Sequence, residues 1–196
     1  RTFARRQGVH WSRAVIAAFG AYVGRLTGSA DTVLGLPVSN RHTPAAATTP
    51  GMVSNVLPLR LRTSRSTSFG ALSEQAGEKV RENRPHRRYR FEELRREMRE
   101  KNGNARVFGP LANTLSFASG VTFDGCPAEH HNLTPGPIED MMLGVYERPE
   151  SLTFTLDANA ALYGAEDLKG HRERFDAFLR QALKRPEQPL GRIGLL

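Results

Sequence analysis

An apolar stripe at helical spacing dominates the first part of the chain. It predicts a helix over 13–27, which begins after Ser12, a residue type that caps helix N termini. Gly28 follows the stripe and suits the left-handed stop that ends many helices. The apolar positions of this helix are Val15, Phe19, Tyr22, Val23 and Leu26.

A strict alternation further along predicts a strand instead. Leu57, Leu59 and Leu61 alternate with a proline and two arginines, so a strand here places leucines on one face and arginines on the other. Pro58 cannot donate a hydrogen bond to a neighbouring strand, which favours an edge position or a bulge.

The remaining pattern predicts further helices and strands around one sheet. Residues 32–38 indicate a buried strand and residues 42–50 an exposed loop. The other predicted elements are a helix capped by Ser68 that ends at 83–85, a helix over 91–101, strands over 111–117, 128–133, 141–146 and 152–158, the last two as a hairpin, and a final helix over 166–184. This mixture predicts an α/β fold, a mixed sheet with helices packed on it.

Composition argues against a membrane span and a disulfide. Hydrophobic residues make up 39% of 196 residues, but no apolar run approaches the ~18 residues that cross a bilayer. Cys126 is the single cysteine, and its neighbours Gly125 and Pro127 favour a turn over a nucleophile. Arg1 is interpreted as a chain boundary, because the sequence does not begin with Met and its first residues show no signal pattern. The predicted location is cytoplasmic, without a membrane partner.

Positive charge is concentrated in one stretch. The net charge is +8, from 28 basic and 20 acidic residues, which favours acidic partners. Residues 81–101 contain nine Arg or Lys and five Glu. Glu and basic residues four apart within it are also typical of a solvated helix surface. The pattern alone therefore fits both a surface for acidic partners and an ordinary solvated helix surface.

Common catalytic and metal motifs are absent from the sequence. It has no Cys-x-x-Cys, no phosphate-binding glycine loop and no Gly-x-Ser-x-Gly. His10, His42, His86 and His171 lie apart, and each is expected to be a surface or hydrogen-bonded residue. No metal site is predicted.

Two tracts carry a family resemblance. Residues 34–41 are Leu-Gly-Leu-Pro-Val-Ser-Asn-Arg, and residues 51–60 are Gly-Met-Val-Ser-Asn-Val-Leu-Pro-Leu-Arg. They resemble the fifth and sixth core motifs of nonribosomal peptide synthetase condensation domains, Gly-x-Pro-x-x-x-Arg and Gly-x-x-x-Asn-x-x-Pro-x-Arg. The matching positions are Gly35, Pro37, Arg41, Gly51, Asn55, Pro58 and Arg60.

The resemblance continues along nearly the whole chain. Residues 86–94 resemble the seventh motif, an aromatic-Pro-Phe-Glu run that opens a helix, with Tyr89, Phe91 and Glu92 at motif positions and Arg90 in place of the proline. Residues 108–113, 136–140 and 157–163 and the final helix resemble enterobactin-synthase-like condensation domains.

The catalytic motif of that family, His-His-x-x-x-Asp-Gly, lies upstream of these tracts, and nothing before Leu34 matches it. Residues 130–136 imitate it, but they follow the tracts and contain Pro135, which offers neither the charge nor the hydrogen bond of the aspartate. The resemblance therefore implies that residues 1–196 are the C-terminal lobe of a condensation domain, without a catalytic residue and inactive alone.

The resemblance also implies a fold and partners. The lobe is expected to have the chloramphenicol-acetyltransferase-like α/β fold and to form a tunnel with an N-terminal lobe. Amide bonds form there between aminoacyl or peptidyl thioesters on the phosphopantetheine arms of carrier domains, as in siderophore-type peptide biosynthesis. The implied partners are the N-terminal lobe, acyl or peptidyl carrier domains and an adjoining adenylation domain. No cofactor is expected to bind this chain directly.

Residue roles follow from the same motifs. In the family, the arginine matched by Arg41 pairs with the upstream aspartate, so within this chain we expect Arg41 to be solvated or to have another partner. Asn55 and Arg60 are expected to tie strands and loops together. The seventh-motif residues Tyr89, Phe91 and Glu92 are expected to have the same kind of role.

Other hypotheses concern the basic residues and a histidine pair. Arg84, Arg87 and Arg88 are candidates for facing an acidic carrier domain or a pantetheine phosphate. A basic nucleic-acid-binding module is the first alternative, although no nucleic-acid motif accompanies the charge and no nucleic acid is expected as a partner. A self-sufficient acyltransferase of the same superfamily is the second, and it requires His130 or His131 to be catalytic.

Overall fold

The computed structural model describes residues 1–41, 43–103, 106–115, 122–128 and 133–195. Its α-helices are α1 (Thr2–Arg6), α2 (Trp11–Thr27), α3 (Pro44–Thr48), α4 (Phe69–Asn83), α5 (Phe91–Asn102) and α6 (Ala165–Lys184). Its strands are β1 (Asp31–Ser39), β2 (Ser54–Arg62), β3 (Leu111–Leu115), β4 (Thr122–Phe123), β5 (Cys126–Pro127), β6 (Met141–Glu147) and β7 (Leu152–Ala158). Short 3₁₀ turns cover Arg84–Arg88 and Leu190–Arg192.

Five strands form one mixed sheet in the order β2-β1-β3-β6-β7. β1 pairs antiparallel with β2 and parallel with β3, β3 pairs parallel with β6, and β6 and β7 form an antiparallel hairpin. The predicted mixed sheet and the predicted hairpin are therefore confirmed. Pro58 lies in β2, an edge strand of this sheet, as predicted from its missing N–H.

The hydrophobic core lies between the sheet and helices α2, α4 and α6. Leu57, Leu59 and Leu61 of β2 are buried, whereas Arg60 and Arg62 are exposed, so the predicted alternation is confirmed. Ser68 caps α4 by accepting a hydrogen bond from the backbone N–H of Ala71 at 3.2 Å, also as predicted. The largest fully buried core side chains include Phe19, Tyr22, Phe69, Leu72 and Phe178.

Helix α2 is buried on more sides than its stripe predicted. It begins at Trp11, and its cap is His10, whose ring accepts from the N–H of Ser12, so Ser12 is not the N-cap residue. Gly28 has φ 70° and ends the helix as predicted. Leu26, assigned to the apolar stripe, is 40% exposed. The helix packs between β1, α4 and α6, and its alanines fill these contacts, namely Ala14, Ala17, Ala18 and Ala21.

One predicted loop and one predicted strand differ from the structure. Residues 42–50 contain α3, which Thr43 caps through a hydrogen bond from the N–H of Ala46 at 3.1 Å, with Pro44 at the first helical position. The strand predicted over 128–133 is wrong at both described ends, because Ala128 and Leu133 lie outside strands; residues 129–132 are outside the described part.

Cys126 lies in a small hairpin separate from the sheet. β4 and β5 pair antiparallel, and the turn between them is Asp124-Gly125, with φ of 48° and 78°. Two successive positive φ values are typical of tight hairpin turns. Cys126 is exposed directly after this turn. Within the described ranges, no helix is long and apolar enough to span a membrane.

Candidate functional site

Gly35 permits a close approach between β1 and the segment that leads into β3. Its N–H donates to the carbonyl of Pro110 at 2.8 Å. A Cβ at this position would lie 2.3 Å from Phe108 Cε2 and 2.4 Å from Leu111 Cδ2. Any side chain larger than hydrogen would therefore displace these two residues from the face of the sheet opposite the buried Leu34 and Leu36.

β1 and β3 separate directly after Gly35. In the described sheet, Gly35 and Leu111 are the one register pair that joins these two strands. Pro37, two residues later, has no N–H to donate to a neighbour. A cleft of about 400 Å³ lies here, with Leu36–Ser39 and Thr114 among its lining residues. It sits at the carboxyl ends of two parallel strands, the usual place for ligand sites in open α/β sheets.

Arg41 holds the segment between β1 and β2 through backbone carbonyls. Its guanidinium donates to the carbonyl oxygens of Ala46, Thr49 and Gly51, the second at 2.7 Å. The ion pairs found among the described residues do not include Arg41. Gly51 has φ 135°, a conformation that L side chains rarely adopt, which explains the glycine at this motif position.

Asn55 joins the sixth-motif strand to the seventh-motif segment. Its Nδ2 donates to the carbonyls of Arg87 at 2.9 Å and Tyr89 at 2.6 Å, and its Oδ1 accepts from the N–H of Phe91 at 3.0 Å. The N-cap position of α5 is Arg90, which makes no side-chain cap hydrogen bond. Asn55, from β2, therefore satisfies an N–H that starts α5.

The seventh motif packs onto the residue that covers Gly35. The rings of Phe91 and Phe108 are 5.0 Å apart, which connects α5 with the β1–β3 junction. The Tyr89 hydroxyl donates to the Glu97 carboxylate, and this hydrogen bond is the main cause that raises the pKa of Tyr89. Glu92 is exposed in the first turn of α5, where a negative charge complements the helix dipole.

Arg60 joins β2 to the start of β1 rather than lining the cleft. It makes a bidentate contact with Asp31, with Nε 2.9 Å from both carboxylate oxygens. Hydrogen bonding to the guanidinium lowers the pKa of Asp31, and the same bond raises the pKa of Arg60. Both side chains are exposed, so this pair contributes little to stability.

Four arginines line the cleft between β1 and β3. Arg84 and Arg87 were candidates from sequence, whereas Arg13 and Arg81 were not. Burial lowers the pKa of Arg13, and the nearby charge of Arg81 lowers it further. One sequence signal was available, because an arginine in the first turn of α2 opposes the helix dipole. Arg88 is exposed and does not line this cleft.

His171, on α6, is the histidine whose surroundings perturb its pKa most clearly among the described ones. His171 is within hydrogen-bonding distance of the Tyr22 hydroxyl, 2.9 Å from its Nδ1, which matches the expectation of a hydrogen-bonded residue. Burial and then Arg174 lower the pKa of His171. His42, His130 and His131 lie outside the described residues. In the described part of the chain, no three His, Cys, Asp or Glu side chains are grouped to hold a metal.

The family comparison covers every residue of the chain. Residues 1–196 match the family described as condensation domain. The chain belongs to the condensation domain family. This assignment confirms the resemblance that the motif tracts indicated, and the mixed α/β fold is the chloramphenicol-acetyltransferase-like fold of condensation domains.

Relatives of this condensation domain chain come from peptide synthetases. It is 40% identical over 188 residues to the dimodular nonribosomal peptide synthase of Bacillus subtilis (strain 168), covering 95% of this chain and 8% of that protein. It is 27% identical over 190 residues to enterobactin synthase component F of Escherichia coli O157:H7, covering 96% of this chain and 15% of that protein.

A solved structure gives the same assignment. A mutant starter condensation domain of rhizomide synthetase RzmA in complex with C8-CoA has a TM-score of 0.89 and 40% sequence identity. The match covers 95% of this chain and 44% of that chain. The chain thus spans less than half of the solved condensation domain and a small part of the two synthetases.

Proposed function

We propose that the chain is the C-terminal lobe of a nonribosomal peptide synthetase condensation domain and contributes to amide-bond formation between thioester-activated acyl groups. One observation carries this proposal. Gly35, Asn55 and Phe91, from three separate motifs, are connected through Phe108 and the hydrogen bonds of Asn55, and the cleft of about 400 Å³ is lined by Leu36, next to Gly35, and by Arg87, whose carbonyl Asn55 binds. A cleft with convergent polar groups is the default candidate for a binding site, and here it lies next to residues of three motifs.

Exposed apolar side chains support the assignment as one lobe of a larger domain. Met52 is 93% exposed, Phe123 72% and Leu133 94%. Our proposal predicts that a partner covers some of these side chains, because contiguous apolar patches are typical of interaction sites. In our proposal the N-terminal lobe, which carries His-His-x-x-x-Asp-Gly, covers part of this surface and supplies the catalytic histidine.

The chain then contributes positioning rather than proton transfer. The second histidine of the upstream motif positions or deprotonates the acceptor amine, which attacks the thioester carbonyl. Arg41 has five N–H donors, and three hydrogen bonds go to backbone carbonyls. In the two-lobe domain we propose that the upstream aspartate accepts from the guanidinium as well, so that Arg41 links that motif to the segment after β1.

The proposed partners are those of a synthetase module. The acceptor amine is carried on the phosphopantetheine arm of a carrier domain, and an adenylation domain adjoins the lobe in a cytoplasmic synthetase. The relation to enterobactin synthase component F favours a siderophore-type peptide. The first candidate for the donor is a carrier-bound thioester. A coenzyme A thioester is the second, because a related starter domain was solved with C8-CoA.

The test is expression of this chain alone and joined to the lobe encoded upstream. Amide formation is measured by mass spectrometry, with an aminoacyl carrier domain as acceptor and both donor types. We expect product from the joined lobes, none from the chain alone, and none after the upstream histidine is changed to alanine. Activity of the chain alone that is lost in His130→Ala/His131→Ala would instead support a self-sufficient acyltransferase. The condensation domain family gives no support to the nucleic-acid-binding alternative.

A further inference from the structure

The two edges of the five-stranded sheet differ in how their backbone groups are paired. β2 forms one edge and β7 the other. On β2, Pro58 has no N–H, and its carbonyl accepts from Asn83 Nδ2 at 2.8 Å. The N–H of Arg62 donates to Gln75 Oε1 at 2.8 Å. Asn83 and Gln75 both come from α4, so the chain itself covers the β2 edge, one of the ways in which proteins protect free strands.

The β7 edge has no such cover in the described part of the chain. Next to the strand, the N–H of Asn159 donates to the carbonyl of Asp140 at 2.8 Å, which fixes the phase of the ladder between β6 and β7. Because antiparallel pairing alternates, every second residue of β7 turns its N–H and its carbonyl away from β6. These residues are Leu152, Phe154, Leu156 and Ala158. The described hydrogen bonds include none to these outward groups, and β7 contains no Pro, Lys or Arg.

An apolar groove runs along this edge, between β7 and α6. It consists of two clefts, of about 370 Å³ and 340 Å³, which share Phe154 and Leu179. Phe154 is 38% exposed, and Leu183, further along the groove, is 39% exposed. The described charged residues that line the groove are Arg1, Arg172, Arg180, Glu150, Glu173 and Asp176, three of each sign. These charges balance although the chain has a net charge of +8, so charge does not oppose a second copy at this edge.

We propose that β7 pairs antiparallel with β7 of a second copy of this chain, so that the two five-stranded sheets continue across a twofold axis at Thr155. The axis places Phe154 opposite Leu156 of the second copy. The two strand ends meet in the same way, Leu152 opposite Ala158. Every outward N–H and carbonyl of both strands then has a partner, whereas a register shifted by two residues leaves one end residue of each strand unpaired. The inference concerns assembly and does not depend on the proposed reaction.

The side chains of β7 complement themselves in this register. Phe154 and Leu156 lie on the face that carries the groove, so two apolar pairs form beside the axis. On the other face Thr153 lies opposite Asp157 of the second copy, where a hydroxyl faces a carboxylate. No like charges face each other, because Asp157 is the one charged residue of the strand. A peptide of unrelated sequence gains the backbone hydrogen bonds alone, so these additional pairs favour a second copy.

The proposed interface lies away from the motif residues. In the sheet order, β7 is the strand farthest from β2, and the fifth-motif and sixth-motif tracts lie on β1, on β2 and between them. Met52, one of the exposed side chains on the surface proposed for the N-terminal lobe, lies between these two strands. Two copies joined through β7 therefore hold their clefts at opposite ends of the dimer, and each condensation site is left complete.

Cysteine cross-linking of the complete two-lobe condensation domain tests the register. Cys126 and any upstream cysteine are first replaced by serine, and the single changes Thr155→Cys, Thr153→Cys and Asp157→Cys are then made. These positions form non-hydrogen-bonded pairs with the second strand, in which Cα atoms are about 4.5 Å apart, within the range of a disulfide. We expect mild oxidation to link Thr155→Cys with itself. Thr153→Cys and Asp157→Cys should each stay unlinked alone and should link when the two are mixed.

Two lysine variants measure the association itself. Thr155→Lys places two lysines opposite each other at the axis, whereas Thr153→Lys, on the same face of the strand, places each lysine opposite Asp157 of the second copy. Sedimentation equilibrium gives the dissociation constant of each dimer, and circular dichroism checks that each variant is folded. We expect the constant of Thr155→Lys to exceed that of Thr153→Lys by about fivefold or more, with wild type between them.

A wild-type domain that stays monomeric at the highest concentration reached, or equal linking of Thr155→Cys and Thr153→Cys alone, would overturn the inference. If the domain is monomeric and the outward amides of Phe154 and Leu156 are nevertheless protected from hydrogen exchange, another segment covers the edge, and the inference is equally wrong. Amide formation is measured in parallel. Loss of product in wild type refutes the proposed function, while register-specific linking still supports the dimer.

Discussion

Asn55 Oδ1 accepts a hydrogen bond from the backbone N–H of Phe91, 36 residues further along the chain, at 3.0 Å. The same side chain donates to the carbonyls of Arg87 and Tyr89. The asparagine of one motif thus fixes the backbone path of the next. Both motifs depend on each other through this single buried amide, which explains why an asparagine suits this position, since it offers a donor and an acceptor together.

Asn55→Ala should destabilise the chain by about 3 kcal/mol. Three hydrogen bonds are lost, and buried backbone groups at the start of α5 are left without partners. Asn83→Ala is the matched control, because its Nδ2 makes one hydrogen bond, to the carbonyl of Pro58, and about 1 kcal/mol is expected. Urea unfolding measures both. Equal losses of unfolding free energy in the two variants would contradict the proposal that Asn55 holds the two motifs together.

Gly35→Ala should cost about 1–3 kcal/mol, because its Cβ would overlap Phe108 and Leu111. Gly77→Ala in α4 should instead add about 0.5–1 kcal/mol, since the nearest atom to its Cβ, Arg81 Nη1, is 3.8 Å away and alanine favours the helix. If the close approach at Gly35 matters, the two variants should shift the thermal unfolding temperature in opposite directions. An unchanged unfolding temperature in Gly35→Ala would show that Phe108 can move freely.

Arg41→Gln should loosen the segment between β1 and β2, because three backbone carbonyls lose their guanidinium donor. Hydrogen exchange of the amides of residues 43–51 should become faster, while exchange in β6 should not change. Arg62→Gln, an exposed change on the neighbouring strand, is the control. Unchanged exchange in this segment would show that α3 is ordered without Arg41.

Acid should weaken the fold through His171. Burial lowers its pKa from the ordinary 6.5, so as pH falls the unfolded chain binds a proton before the folded one. The contribution of His171 to stability is complete above pH 6.5 and is lost as pH falls through the lower folded-state pKa. His171→Asn, which removes the titration, should flatten the loss of urea midpoint below pH 6.5. A slope equal to that of wild type would assign the acid sensitivity to other groups.

Arg88→Glu in the complete synthetase should slow condensation with a carrier-borne acceptor and leave reaction with a small soluble thioester unchanged. Arg88 is exposed beside the cleft but does not line it, so reversing its charge tests attraction to an acidic carrier domain alone. Arg6→Glu on α1 is the control. Steady-state rates at low and high salt measure the effect, which should shrink as salt rises. Equal rates with both acceptors would leave Arg88 a solvated residue.

Local sequence patterns predicted the strands and helix caps that depend only on neighbouring residues. The alternation over Leu57–Leu61 and the cap at Ser68 follow from neighbouring residues, so the structure confirms them. The extent of burial of α2 was missed because alanines carry little periodic signal, yet they face two other helices and the sheet. The helix α3 had a usable signal that was missed, Thr43 followed by Pro44.

The arrangement of the site could not be predicted from local patterns, because its residues are joined by contacts between distant parts of the chain. The partners of Asn55 lie 32 to 36 residues away, and the cleft combines arginines from the start of α2 and the end of α4. The basic stretch over 81–101 led to Arg84 and Arg87 as candidates, but it did not indicate that Arg13 or Arg81 lies beside them. Their convergence comes from the packing of α2 against α4, a tertiary contact.

The single register pair between β1 and β3 divides the sheet into two ribbons, β1 with β2 and β3 with β6 and β7. Each ribbon keeps its own hydrogen-bond ladder, and Gly35 is the one described point where the ladders join. The backbone N–H of Gly35, bonded to the carbonyl of Pro110, therefore joins two otherwise separate ladders, and the cleft lies directly beyond that junction.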